Sequence, residues 1–430
     1  MTISELLKAG IEKAKLGYFQ DALAIFTQVL RLDGACAKAY YNRGCAYRDL
    51  NQYRQALDDF STALSLDPQL ASAYINRGNV YYLMGELAAG LADLDRAIAL
   101  QPSALKAYGS RGRLKLDMAD YRGAIADFSR VLDAQPQFVK VLLWRGLAYL
   151  KQGTHLPSAD QRHPAYQRAI EDFSALLARQ PHHAEALNYR AVAHFQLRNY
   201  YQATLDLNQA LHHRPDYAEA YVNRGTLRHE MGDDQGAIDD YTAVLTLYPA
   251  LQDRAYNQTL VGLSLAKLDH TSREDPSRNL RFRLADLYDS RGHLHAQMGD
   301  LAEANADYTL ALRFNPRSGH LLANRGRVLS RQGQYQAALA DFDAALALST
   351  EDALVYCDRG YAHYFLGAWE QALADFNQAL ALNPDLAEAY LGRGHTQIRL
   401  AKRANAALSD FRKTLELSWD SRQLQRSRPL

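Results

Sequence analysis

Residues 37–70 read AKAYYNRGCAYRDLNQYRQALDDFSTALSLDPQL, and residues 353–386 read ALVYCDRGYAHYFLGAWEQALADFNQALALNPDL. Laid one above the other, they bring Gly44 over Gly360, Ala56 over Ala372, Asp59 over Asp375 and Pro68 over Pro384. The 34-residue spacing continues through most of the chain. A fixed period of this kind marks stacked supersecondary units, each touching only its neighbours.

Within 37–70 the apolar positions fall at helical spacing in two runs. The first is Ala39, Tyr40, Gly44 and Tyr47; the second is Tyr53, Ala56, Leu57, Phe60, Ala63 and Leu64, after a break at Leu50–Gln52. Asp67-Pro68 ends the second run, because proline cannot continue a helix and biases its predecessor towards extended backbone. Each unit is therefore expected to be an antiparallel helix pair. Glycine holds the eighth position of every unit but one, which has Ala191, although a mid-helix glycine costs about 1 kcal/mol against alanine. The twentieth position is small as well (Ala22, Ala56, Gly90, Ala124 and onward), so the two helices are expected to touch there.

Small residues at positions eight and twenty, an aromatic near twenty-four and proline near thirty-two together make a pattern that resembles the tetratricopeptide repeat (TPR). Eight prolines stand at that last place, from Pro68 to Pro384. The resemblance covers nearly the whole chain and implies an all-α fold, a right-handed α–α superhelix built as a solenoid of antiparallel helix pairs. Units are read at 3–36, 37–70, 71–104, 105–138, 139–183, 184–217 and 218–251, then at 285–318, 319–352, 353–386 and 387–421. The stretch 252–284 is a degenerate unit or a connector; its length of 33 residues preserves the register and favours the degenerate unit. Gln252–Leu268 has a helical pattern and Asp269–Asn279 (DHTSREDPSRN) that of a loop. An insertion is placed between the helices of the fifth unit at 154–165, one extra residue near 401–405, and a polar tail without a long capping helix at 422–430.

The bulk numbers exclude several classes. With 49 basic and 48 acidic side chains the formal net charge is +1, so no global field draws the chain to nucleic acid. Cys36, Cys45 and Cys357 are too few for a disulfide framework or a zinc cage. The N-terminus lacks a signal-peptide run, and no stretch reaches membrane-span length, which points to a soluble, intracellular, cytoplasmic protein. Thr2 with Glu5 instead forms a capping box at the start of the first helix.

Arginine recurs one place before the glycine (Arg43, Arg77, Arg111, Arg145, Arg190, Arg224, Arg291, Arg325, Arg359, Arg393), and aspartate recurs in the second helix (Asp59 through Asp410). The first unit lacks both, having Ala9 and Ile25. Matched numbers and joint absence favour a structural ion pair over an arginine ladder for phosphate or carboxylate ligands.

In the family that the repeat resembles, first helices line a concave groove, which implies ligand contact at positions 2, 5, 6, 9, 12 and 13. Position six holds Asn42, Asn76, Asn223 and Asn324, whose amides can both donate to and accept from a peptide backbone. Further groove candidates are Asn79, Tyr41, Tyr82, Arg113, Arg327, Arg331, Tyr361 and Tyr364. The charge is banded: Lys106, Arg113, Lys140 and Lys151 make the early part basic, and Glu185, Glu219, Glu230, Asp286 and Asp289 make the middle acidic. A chaperone-tail clamp is argued against: Asn79 fits, but Ile75 stands in place of a lysine, and Ser110 and Trp144 replace an asparagine and an arginine.

No phosphate-binding loop, nucleophile elbow or HExxH pair is present. His182-His183 and His212-His213 read as exposed inter-unit residues, and His229–Glu230 or His293–His295 lack a third group to orient them for acid–base work. The chain thus reads as a non-catalytic scaffold without metal or cofactor, an adaptor or assembly factor holding a peptide or protein segment in its groove. The alternatives are an RNA-binding helical-repeat protein, and a regulatory subunit acting through its outer face.

Overall fold

A computed structural model describes residues 2–247, 276–400 and 404–426, and every described element is an α-helix. First helices are α1 (Ile3–Lys15), α3 (Ala37–Asp49), α5 (Ala71–Leu83), α7 (Leu105–Asp117), α9 (Val139–His155), α11 (Ala184–Gln196), α13 (Ala218–Glu230), α15 (Pro276–Met298), α17 (Gly319–Arg331), α19 (Ala353–Phe365) and α21 (Ala387–Arg399). Second helices are α2 (Phe19–Leu32), α4 (Tyr53–Leu66), α6 (Leu87–Leu100), α8 (Tyr121–Ala134), α10 (Ala159–Leu177), α12 (Tyr200–His213), α14 (Asp234–Leu247), α16 (Leu301–Phe314), α18 (Tyr335–Leu348), α20 (Trp369–Leu382) and α22 (Ala404–Arg426). Packing divides the chain into two compact bodies, residues up to 227 and those from 228 onward. From α1 to α12, and again from α15 to α22, a first helix packs on its own second helix, and the second helix on the first helix of the next unit.

The turn inside most pairs has one residue with left-handed backbone; the lengthened α9–α10 pair turns without one. That residue is glycine in most units, for example Gly85 (φ 79°) and Gly333 (φ 76°). Asn51 (φ 59°), Ala119 (φ 60°) and Arg198 (φ 59°) take the same conformation, which costs an L-residue roughly 1–2 kcal/mol. The second helix stops where expected: Asp67, before Pro68, is extended at φ −134°, ψ 87°, and its carboxylate accepts from Gln69 N–H at 3.0 Å.

The eighth-position glycine answers mainly to the aromatic ring at position twenty-four, not to the small residue at twenty. A Cβ on Gly326 would lie 2.6 Å from Phe342 Cε1, and one on Gly112 would lie 2.7 Å from Phe128 Cε1. Close backbone contact between small residues occurs at Gly78, where a Cβ would meet Gly90 O at 3.0 Å. In that unit the ring position is Leu94, and in the unit that carries Ala191 it is Leu207. Where no ring presses on the helix, backbone approach or an alanine takes over.

The arginine and aspartate columns form one repeated joint. Arg325 Nε donates to Asp341 Oδ2 at 2.7 Å and Nη2 to Oδ1 at 2.7 Å, a bidentate pair across its own helix pair. The remaining Nη1 donates to Thr309 Oγ1 of the preceding second helix at 3.3 Å. Arg43 does the same with Asp59 and Thr27, Arg77 with Asp93 and Ser61, and Arg393 with Asp410 and Asn377. The carboxylates are buried, Asp341 to 6% and Asp307 to 2% exposure, so these arginines are committed to the stack. In the first unit Ile25 packs among Leu6, Val29 and Ala39 instead.

The joint also shows how irregular segments are absorbed. Arg145 and Asp172 are 27 residues apart rather than 16, yet they pair at 2.9 and 2.7 Å. The insertion at 154–165 is mostly helix: α9 has 17 residues and α10 has 19, against 13 and 14 in the preceding pair. Ser158 caps the start of α10, and the added turns pack on each other: a Cβ on Gly153 would stand 2.5 Å from Tyr166 Cε1. At the other end of the chain α22 runs to Arg426, into the stretch read as polar tail, because no glycine or proline interrupts SWDSRQLQR after Leu417 is passed at Ser418.

Residues 252–275, including the helical pattern at 252–268 and most of the expected loop, lie outside the described residues. The helix α15 begins at Pro276, inside the stretch read as loop. Its Arg291 Nη1 donates to Thr242 Oγ1 of α14 at 3.0 Å, with 49 residues between them. Elsewhere this bond spans 16 residues, and the difference equals the 33 residues of 252–284. The helix α15 therefore occupies, against α14, the place that the next first helix takes in every other unit.

Two outcomes follow from the joint. Asp341→Ala, which leaves a buried guanidinium unpaired, is expected to cost about 3 kcal/mol in urea unfolding, and replacing Arg325 and Asp341 together by leucine is expected to cost less. Deleting 252–284, which joins Leu251 to Ala285 in unbroken 34-residue register, is expected to leave a cooperative melt with its midpoint within a few degrees, as followed by circular dichroism; loss of the cooperative transition would place those residues in the stack.

Candidate functional site on the first helices

Neighbouring first helices meet through pairs 35 residues apart, one position further on in the next unit. Asn76 Nδ2 donates to Tyr41 Oη at 2.9 Å, Tyr82 Oη donates to Asp117, and Asn223 Nδ2 donates to Asn188 Oδ1 at 2.8 Å. In the C-terminal body Asn324 Nδ2 donates to Asp289 Oδ1 at 3.2 Å, and Arg331 Nη1 to Ala296 O at 2.6 Å. Positions 5 and 12 of one unit thus face positions 6 and 13 of the next.

The asparagine column is largely occupied by this task. Besides Tyr41, Asn76 takes Ser72 O as acceptor at 2.9 Å and receives Arg48 Nη1 on its oxygen. Asn42 Nδ2 donates to Lys38 O of its own helix at 2.7 Å. Asn188, only 1% exposed, is held between Asn223 and the hydroxyl of Tyr217 at 3.4 Å. Asn324 Oδ1 accepts from Arg327 Nη1 at 2.9 Å, and Arg327 Nε reaches Asp358 Oδ2 at 2.6 Å. Asn79 is half-buried, and its side chain has no hydrogen-bond partner among the described residues.

The aromatic candidates fall in two places. In the N-terminal body the Arg113 guanidinium lies 5.8 Å from the Tyr82 ring and 5.1 Å from that of Trp144. Burial pushes the Tyr82 hydroxyl up to about 12, although the Arg113 charge pulls the other way. In the C-terminal body Tyr361 Oη donates to Glu388 O at 2.8 Å, Arg399 Nε contacts Tyr364 Oη at 3.5 Å, and Phe365 stacks on Tyr335 with ring centroids 5.0 Å apart. Phe365 is 58% exposed, and on the same two first helices, α19 and α21, Leu354 (53%), Leu391 (37%) and Ile398 (56%) also stand open, at positions where the repeat pattern implies a groove.

Phe365 is a groove candidate in the sequence beside Tyr361 and Tyr364, whereas Leu354, Leu391 and Ile398, like Asp358, are not distinguished there. Within one unit an apolar residue at helical spacing reads as core; only comparison along the column shows Leu354 where other units carry lysine or glutamate.

The other titratable groups are placed structurally. Burial raises the thiol of Cys45 to about 11 and that of Cys357 to about 12, so both stay protonated at neutral pH. His229 Nδ1 contacts Asp234 Oδ1 at 2.6 Å at the start of α14, and His182 Nδ1 lies 3.1 Å from His213 Nε2 at an exposed turn. Among the described residues no group of three or more histidine, cysteine or acidic side chains is placed to hold a metal ion, and no helix is long and apolar enough to cross a membrane.

Stacked helix pairs with a regular internal joint and a variable first-helix face define a helical-repeat scaffold. Profiles described as tetratricopeptide repeat or TPR repeat match residues 37–70, 71–103, 110–156, 161–204, 197–251, 285–318, 326–367 and 362–400, and the chain belongs to the tetratricopeptide-repeat family. Repeats of this family serve protein interaction. Solved structures similar to this chain include a tetratricopeptide repeat protein from Parabacteroides merdae, at 20% identity over 57% of this chain and 93% of that one, with a TM-score of 0.44. Another is YrrB, described as a TPR protein with an unusual peptide-binding site, at 20% identity over 45% and 95%, with a TM-score of 0.40. The Cut9–Hcn1 assembly of the APC/C matches over 97% and 94% at 13% identity, with a TM-score of 0.42. No curated protein matches the sequence.

If the asparagines act as inter-unit ties, Asn223→Ala should lower stability by about 1–3 kcal/mol, since it leaves the buried Asn188 without a donor. Asn79→Ala should leave the melting curve unchanged. Thermal melts of the two variants side by side check this.

Proposed function

We propose that the chain is a non-catalytic scaffold that holds a peptide or protein segment against its first helices, as an adaptor or assembly factor does. The observation that carries this reading is the cluster of Leu354, Phe365, Leu391 and Ile398, exposed at groove positions of α19 and α21. Residues 354 and 365 are three turns apart on one helix and 391 and 398 two turns apart on the next, so each pair shares a face. Large apolar groups left in water and rimmed by Arg327, Asp358 and Arg399 are the usual mark of a surface that another chain covers. The high aromatic content of the patch, with Tyr361 and Tyr364, suits an anchoring side chain on the ligand.

The column arginines do not supply an RNA surface, because their guanidinium groups are spent on buried aspartates. Nor, among the described residues, does any buried, perturbed acid–base pair stand beside a nucleophile. Ligand capture without chemistry is what remains.

Replacing Phe365 and Leu391 together by glutamate is expected to abolish capture of the protein's partner in pull-downs from source-cell lysate, with helical content by circular dichroism unchanged. Equal capture by the double variant would sink the first-helix reading.

A further inference from the structure

The helix α22 exposes a surface that the inner units keep covered. Five residues after the column aspartate, a second helix carries a leucine that packs on the first helix of the next unit. Leu380, five residues after Asp375, shares a buried cluster with Ala389, and Leu64, Leu211 and Leu380 are only 6–7% exposed. Two residues before the aspartate, Leu57 packs in the cluster that holds Val80 of the next first helix. The matching residues around Asp410 are Leu415 and Leu408, and they are 69% and 61% exposed.

The first unit is finished differently. A first helix meets its predecessor through its third and tenth positions, which are Ala39 and Ala46 in α3 and Ala73 and Val80 in α5, all 0–1% exposed. In α1 the same positions hold Glu5 and Glu12, both exposed. A stacked array is kept from associating by polar outer faces on its terminal units. The helix α1 has such a face, whereas α22 presents two large apolar side chains, the mark of a surface that another chain covers.

Between the two leucines stands Arg412, which is also exposed. Residues 408, 412 and 415 are spaced i, i+4 and i+7 and share one face of the helix. Two residues after the column aspartate, the inner units hold the acceptor for the next unit's arginine, as Ser61, Asn208, Thr242 and Thr309 do. A guanidinium at that place repels an arginine and calls for an acid, so the polarity of the joint is reversed. The acids of α22 beside it are engaged: Asp410 with Arg393 at 2.7 Å, and Glu416 with Lys413 at 3.5 Å. A helix that continues the stack here has small apolar residues at i and i+7, as the inner first helices have, and an acid at i+4 in place of their arginine.

Neither end of a second copy meets that requirement. The helix α1 would bring Glu5 and Glu12 onto the two leucines, and two α22 faces brought together would set Arg412 against Arg412. We propose that the face of α22 formed by Leu408, Arg412 and Leu415 docks a helix of a different protein, one with small apolar residues seven apart and an aspartate or glutamate between them. The docked helix packs as a next first helix would. This site is formed by a second helix and does not depend on the first-helix reading above.

The test uses the full-length chain and a helix-stapled, fluorescent peptide with the sequence of residues 183–197, in which Ala186 and Ala193 are the two small residues and Arg190→Glu supplies the acid. In anisotropy titrations the Arg190→Glu peptide should bind saturably, and the unchanged sequence about tenfold more weakly. Arg412→Glu in the protein should reverse that order. Leu408→Glu with Leu415→Glu should abolish binding and leave the melting curve unchanged, because both side chains are already in water. Should that double variant melt lower, the reversal by Arg412→Glu, a single exposed change, decides alone. The Phe365→Glu, Leu391→Glu variant should bind the peptide as wild type does.

No binding, equal binding of the two peptides, or binding lost with Phe365 and Leu391 but kept without Leu408 and Leu415 would overturn the proposal. A concentration-dependent dimer in sedimentation equilibrium that the Leu408→Glu, Leu415→Glu variant loses would also overturn it and assign the face to a second copy.

Discussion

A guanidinium with five donors can satisfy one carboxylate with two of them and still reach a third helix, and the stack depends on that geometry. In each joint the arginine holds its own second helix through a buried aspartate and the preceding second helix through a hydroxyl, amide or carboxylate. Apolar contact alone would hold helix pairs together without fixing how far one slides along the next, because leucine and alanine surfaces tolerate small shifts. A bidentate bond at 2.6–3.0 Å does not. In most units a tyrosine three residues before the arginine covers the face of the guanidinium, as Tyr40 does for Arg43 at 5.5 Å and Tyr390 does for Arg393 at 5.3 Å. Register is thus set by polar groups inside an apolar stack, and their burial is tolerable because each is fully paired.

The fold was legible because periodicity repeats the same evidence many times over. A glycine that costs stability, a proline that ends a helix and an arginine matched by an aspartate are weak signals singly. In columns they leave few alternatives. The insertion at 154–165 was legible from the period, but its conformation was not. Ser158 supplies an N-cap, and the added residues lengthen both helices, which then bury Tyr166 against Gly153.

The site was less legible, and the asparagines show why. Nothing in position six tells whether an amide faces a ligand or the residue 35 places back; that depends on whether Tyr41, Asn188 or Asp289 is there to meet it. Arg113 posed the reverse problem. It was named among the basic residues, but the rings of Tyr82 and Trp144, which hold it from two other units, are a three-dimensional fact. Variation along the columns pointed to the first-helix face, and only the packing separated the residues that tie units together from those left open.

The acceptor of the third arginine bond is chemically undemanding: Thr27, Ser61, Asp95, Asn208 and Thr242 all serve. Any unit's arginine therefore fits almost any other unit's second helix, and a gene that duplicates, loses or transposes a whole period produces ends that already match. Such an array can change its length in one recombination event without a round of compensating mutations. Its length is then set by copy number, while the few side chains on its first helices that the units do not share give each stretch of the array its own surface.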